Sequence, residues 1–75
     1  MKKNVRLRLL LVMELIVEKT DSEKGVTMQD ILEWLEENDI AGERKSVYED
    51  IHALQEYGLQ ISYNQTDKTY RLMAR

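Results

Sequence analysis

At Gly58 the spacing of the apolar residues changes from the three-to-four-residue step of a helix to the two-residue step of a strand. Beyond that glycine, Leu59, Ile61 and Tyr63 alternate with Gln60, Ser62 and Asn64, and Tyr70 and Leu72 flank Arg71. Two short strands are therefore expected, each with one face inward. The polar residues 65–69 are few enough to join them as an antiparallel hairpin, although they lack the Asn-Gly signal of the tightest turns.

Before the switch, three helical stretches are legible. Residues 4–19 place Leu9, Val12, Met13 and Ile16 on one helical face, and Val5, Leu7, Leu10, Leu11 and Leu15 widen it. A helix apolar over so much of its circumference either sits centrally in the domain or also meets a neighbour, a second domain or a second copy. Residues 20–25 form a polar loop ending in Gly25, after which Thr27 with Asp30 makes a variant capping box and a second helix begins at Met28. Met28, Ile31, Leu32 and Leu35 point inward, Glu33, Glu36 and Glu37 form a solvated side, Trp34 packs at the rim, and Asn38-Asp39 ends the helix. After the connection Ile40-Ala41-Gly42, residues 43–57 carry Val47, Ile51 and Leu54 on one face of a third helix closed by Gly58. Helix, helix, short turn, helix and hairpin is the plan of a winged helix-turn-helix, so one mainly α domain with a small two-stranded wing is expected over residues 1–75.

Composition narrows the chemistry. Seventy-five residues without cysteine or proline leave no room for a multi-domain enzyme, no thiolate nucleophile, no disulfide framework and no Cys-type zinc site. The basic start followed by Leu9 to Met13 imitates a signal peptide, but Glu14 and Glu18 interrupt the apolar run, so a cytoplasmic domain with no membrane segment is expected. The net charge of −3 hides a segregation: residues 1–8 carry +4, residues 9–42 carry −7 and residues 43–75 balance. A nucleic-acid surface would have to use the first residues and the last half, with the acidic segment turned away.

On the third helix, a 100° step puts Lys45, Glu49, His52 and Glu56 opposite the core face, with Tyr48 at their border. Arg44 offers a bidentate fork to guanine, Lys45 a point charge to guanine or phosphate, and Tyr48 a hydroxyl to phosphate. Glu49 is open to two readings, an acceptor for cytosine N4 or a charge that weakens binding, and the lone His52 reads as a solvated side chain able to join the contact. Thr27 and Gln29 at the start of the second helix suit phosphate, Thr27 also being a cap. Lys68 and Arg71 are the basic groups of the hairpin, and Lys2 and Lys3 complete the phosphate-neutralising set. Glu14 with Glu18 and Glu33 with Glu37 lie one turn apart, but with no metal-ligand histidine pair, glycine-rich phosphate loop or nucleophile–base pair they indicate no reaction and no cofactor.

Arg44-Lys45-Ser46-Val47-Tyr48-Glu49-Asp50-Ile51, with Ala53-Leu54, Tyr57-Gly58 and Tyr70-Arg71-Leu72, resembles the N-terminal winged-helix domain of bacterial WYL-domain transcription regulators. The leucine-rich start from Lys3 and the pair Thr27-Met28 extend the resemblance over nearly the whole chain. It implies that Arg44, Lys45, Ser46 and Tyr48 contact DNA and that Asp50 fixes the helix against the rest of the fold. Glu49 stands where the family commonly has Arg, and Ala41 where Ser is frequent, leaving Gly42 to cap the third helix. The family continues into a ligand-sensing domain, so the chain looks like an excised DNA-binding domain whose effector acts through a domain absent here. The expectation is sequence-specific double-stranded DNA binding, one half-site per copy, with a homodimer possible. The alternative is a winged-helix protein-interaction module, for which the acidic charge and Glu49 and Glu56 speak.

Overall fold

In the computed structural model, which describes residues 1–74, helix α1 (Val5–Lys19) opens where Asn4 accepts the Leu7 N–H at 3.0 Å. Leu11, Val12, Leu15 and Ile16 are buried and Leu9, Met13 and Val17 pack partly against them, while Val5, Leu7 and Leu10 stay exposed. The broad apolar circumference of α1 is thus used on one side only. Thr20 ends the helix and is itself buried: its Oγ1 donates to the Ile16 carbonyl at 2.7 Å and accepts the Leu72 N–H at 2.9 Å. One hydroxyl therefore joins α1 to a strand 52 residues away. Thr20→Val keeps the shape but strands a buried N–H; in urea unfolding followed by circular dichroism it is expected to lose about 1–3 kcal/mol, with Thr20→Ser losing less.

The loop after Thr20 delivers a strand that two-residue alternation is too short to announce. β1 (Val26–Thr27) pairs antiparallel with β3 (Thr69–Leu72), which pairs with β2 (Ile61–Asn64), so the sheet has three strands in the order β1-β3-β2 and not the expected two. Gly25 permits the approach, because a Cβ there would lie 2.6 Å from both the Tyr70 carbonyl oxygen and Thr69 Oγ1.

Helix α2 (Met28–Glu37) begins with the expected capping box, Thr27 Oγ1 accepting the Asp30 N–H at 3.0 Å and Asp30 accepting the Thr27 N–H at 2.9 Å. Met28, Ile31 and Leu35 are buried, Glu33, Glu36 and Glu37 exposed, and the half-buried Trp34 donates from Nε1 to the Leu11 carbonyl at 2.9 Å. Asp39 ends α2 in the left-handed region, φ 58°, which lets the Ile40 N–H reach the Leu35 carbonyl at 3.0 Å and buries Ile40. The backbone of Lys2 clamps this turn, donating to the Asp39 carbonyl at 3.0 Å and accepting the Ala41 N–H at 2.7 Å.

Helix α3 (Arg44–Tyr57) starts after Glu43, whose side chain makes no cap bond, so Gly42 is not the cap. A Cβ on Gly42 would lie 2.6 Å from Leu35 Cδ1, which makes it a position of close packing. Gly58 closes α3 at φ 129°, and the Leu59 N–H reaches the Leu54 carbonyl at 3.0 Å. Val47, Ile51 and Leu54 join the apolar side of α1 in the core. Beside them the Arg8 guanidinium donates to both carboxylate oxygens of Asp50, at 2.6 and 3.0 Å, with little of either side chain exposed. No helix among the described residues is long and apolar enough to cross a membrane.

Candidate nucleic-acid interface

Core packing and the Arg8–Asp50 pair together fix the roll of α3 about its axis, and the 100° step then distributes its remaining side chains over three flanks. Arg44 and Tyr48 turn toward the hairpin, Lys45, Glu49, His52 and Glu56 form an exposed crest, and Ser46, Ala53 and Tyr57 turn toward α1.

The hairpin flank is concave. Thr27, Met28, Gln29, Arg44, Tyr48, Tyr63, Asp67, Lys68 and Tyr70 line a basin of about 370 Å³ between the starts of α2 and α3 and the turn of the hairpin. Five of the residues expected to contact DNA therefore meet in one place: Thr27 from β1, Gln29 from α2, Arg44 and Tyr48 from α3, and Lys68 from the hairpin turn. Arg44, Lys45 and Lys68 are exposed and make no ion pair with another described residue. The capping bonds of Thr27 use its oxygen as acceptor and leave the hydroxyl proton to donate outward. The Gln29 side-chain amide donates to Glu33 at 3.1 Å, so one of its donors is engaged along α2.

Lys68 sits at φ 59°, in the left-handed region, at the end of a turn where Asn64 Oδ1 accepts the Thr66 N–H at 2.9 Å. A side chain in that conformation costs about 1–2 kcal/mol relative to glycine, and it carries the ammonium to the basin rim.

Arg71, expected as a basic contact of the hairpin, is ion-paired. Its guanidinium donates to Asp67 in an ion pair, to Thr69 Oγ1 at 3.2 Å and to the Ser22 carbonyl at 3.4 Å. The Thr69 hydroxyl and Arg71 hold the Asp67 carboxyl below its ordinary range, so the one carboxylate among the described residues lining the basin is ionised and neutralised in place. Glu49 lies near Arg8, whose charged form it helps to stabilise, and does not line the basin. Lys3 and Ser46 line a separate depression of about 230 Å³ on the α1 side of α3, and the Lys2 side chain is exposed beside the turn its backbone clamps.

Tyr63 and Tyr70 are basin residues that strand alternation assigned to the core face. They are cross-strand partners with ring centroids 4.9 Å apart. Tyr70 is buried, but Tyr63, two pairs along the ladder from the buried Ile61, is 46% exposed. Burial, with Tyr48 nearby, pushes the Tyr70 hydroxyl up to about 12, so it is a neutral donor at physiological pH. Tyr70 thus belongs to the core and to the basin wall at once, while Tyr63 belongs to the wall alone.

Among the described residues no cluster of three or more His, Cys, Asp or Glu is placed to hold a metal ion. Comparison with protein-family models, with curated proteins and with solved structures finds no match to this chain.

Proposed function

We propose that the chain is a winged helix-turn-helix that binds double-stranded DNA sequence-specifically, with α3 in the major groove, as the DNA-binding part of a bacterial transcription regulator of the WYL type. The observation that carries this is the convergence of Arg44, Tyr48, Lys68 and Thr27 on one basin whose cations are unpaired, while Glu33, Glu36 and Glu37 lie outside it. A helix is about 10–12 Å across and the major groove about 12 Å wide, so the crest of α3 enters with its two flanks against the two phosphate walls. Lys45, His52 and Glu49 then face base edges. Arg44, Tyr48, Lys68 and the free N–H groups at the start of α2 face one backbone, and Lys3 and Ser46 face the other.

Fluorescence anisotropy with a short labelled duplex tests the reading. Five free cations, Lys2, Lys3, Arg44, Lys45 and Lys68, correspond to a slope of log affinity against log salt of about −4 to −5. Selection from a random duplex pool should return a short preferred half-site. The carboxylates of Glu49 and Glu56 on the crest favour a protein-interaction module instead. That reading predicts no retention of duplex even at low salt.

A further inference from the structure

Part of the apolar surface left over by the core lies on the flank of α3 that faces away from the basin. Leu10 is 54% exposed and Tyr57 81%, and with Leu9, Met13, Ala53 and Leu54 they line a groove of about 300 Å³ between α1 and the end of α3. The groove shares no lining residue with the basin. Along α1, Arg6, Leu10 and Glu14 follow at four-residue intervals on the side turned from the core, a stripe that is basic at one end, apolar in the middle and acidic at the other. Neither Arg6 nor Glu14 makes an ion pair with another described residue.

A stripe in that order is complementary to itself in one orientation only. Turned about a two-fold axis at Leu10, a second α1 runs antiparallel, so Arg6 of each copy faces Glu14 of the other, Leu7 faces Met13, and the two Leu10 side chains meet at the axis beside both grooves. A parallel copy would set Arg6 against Arg6 and Glu14 against Glu14. We propose that a second copy of this chain covers the groove, docked through antiparallel α1 helices with Leu10 on the two-fold axis. The contact is one helix of about 22 Å plus the Tyr57 ring, at the low end of specific interfaces, so the dimer is weak, with Kd about 10–100 μM. The proposal does not rest on DNA binding and is tested without DNA.

Sedimentation equilibrium of the 75-residue chain is expected to show a reversible monomer–dimer equilibrium in that range. Leu10→Glu should weaken it at least tenfold. Arg6→Glu and Glu14→Arg should each weaken it as well, since each sets like charges together twice across the axis. An equimolar mixture of these two charge variants restores both pairs in a heterodimer and should associate at least as tightly as the unmodified chain, with helicity by circular dichroism unchanged throughout. A chain that stays monomeric at about 1 mM overturns the proposal. So does a mixture of Arg6→Glu and Glu14→Arg that associates no better than either alone.

Discussion

Replacing Asp50 with alanine is expected to lower the unfolding free energy by about 3–5 kcal/mol. The loss does not measure what the ion pair adds to the fold. It arises because Arg8, held by two charge-assisted hydrogen bonds in a site that leaves its side chain 11% exposed, would keep its charge without a partner. Its guanidinium is protonated at every pH at which the domain folds, since the Asp50 bond raises its pKa further, so the charge cannot be relieved by deprotonation. A chain of 75 residues has about 4–11 kcal/mol to lose, and Asp50→Ala therefore removes a large part of it. The double replacement Arg8→Met with Asp50→Leu deletes both charges and should recover most of the loss. Urea unfolding followed by circular dichroism distinguishes the two cases: a single mutant within about 0.5 kcal/mol of the unmodified protein would show that water already solvates the pair. Because the pair joins α1 to α3, the variants that stay folded should also bind DNA less well, through a loosened roll of α3 and not through a lost contact.

The second large effect is on binding. Arg44→Ala, Lys45→Ala and Lys68→Ala together remove three of the five cations assigned to the interface, and each such cation contributes about 0.9 to the salt slope through counterion release. The slope should fall from about −4.5 to about −2, and affinity at about 50 mM salt should drop by about three orders of magnitude. None of the three side chains is buried or ion-paired, so the thermal transition should move little. An unchanged slope in a folded triple variant would remove α3 and the hairpin turn from the interface. Losing Arg71 acts by a different route: it releases the Asp67 carboxylate into the basin, and Asp67→Asn in the same chain should offset part of the effect.

The legible parts of the fold are those that local chemistry encodes. Apolar periodicity with Asn4, the Thr27–Asp30 box and Gly58 marked the three helices almost to their ends, and alternation marked the hairpin. What escaped was long-range or too short to have a period. β1 is two residues long and exists because Gly25 admits the β3 backbone. The partner of Asp50 stands 42 residues away, in a basic stretch that charge counting records only as +4. At the site, the helical wheel placed Lys45, Glu49 and His52 outward, as observed, because that depends on one helix and its core face. It could not separate Arg44 and Tyr48 from Ser46, which requires knowing which flank the hairpin covers and which faces α1. Nor could charge counting show whether Asp67 pairs with Lys68 or with Arg71, since both bases lie close to it in the sequence.

Amide chemical-shift mapping during titration with a short duplex examines whether the crest and hairpin flank of α3 form a DNA surface. The largest shifts are expected at Thr27 to Gln29, Arg44 to Tyr48, His52 and Lys68, with the acidic side of α2 at Glu36 and Glu37 unmoved. Shifts confined to α1 and α2, or none at low salt with the protein folded, would contradict it.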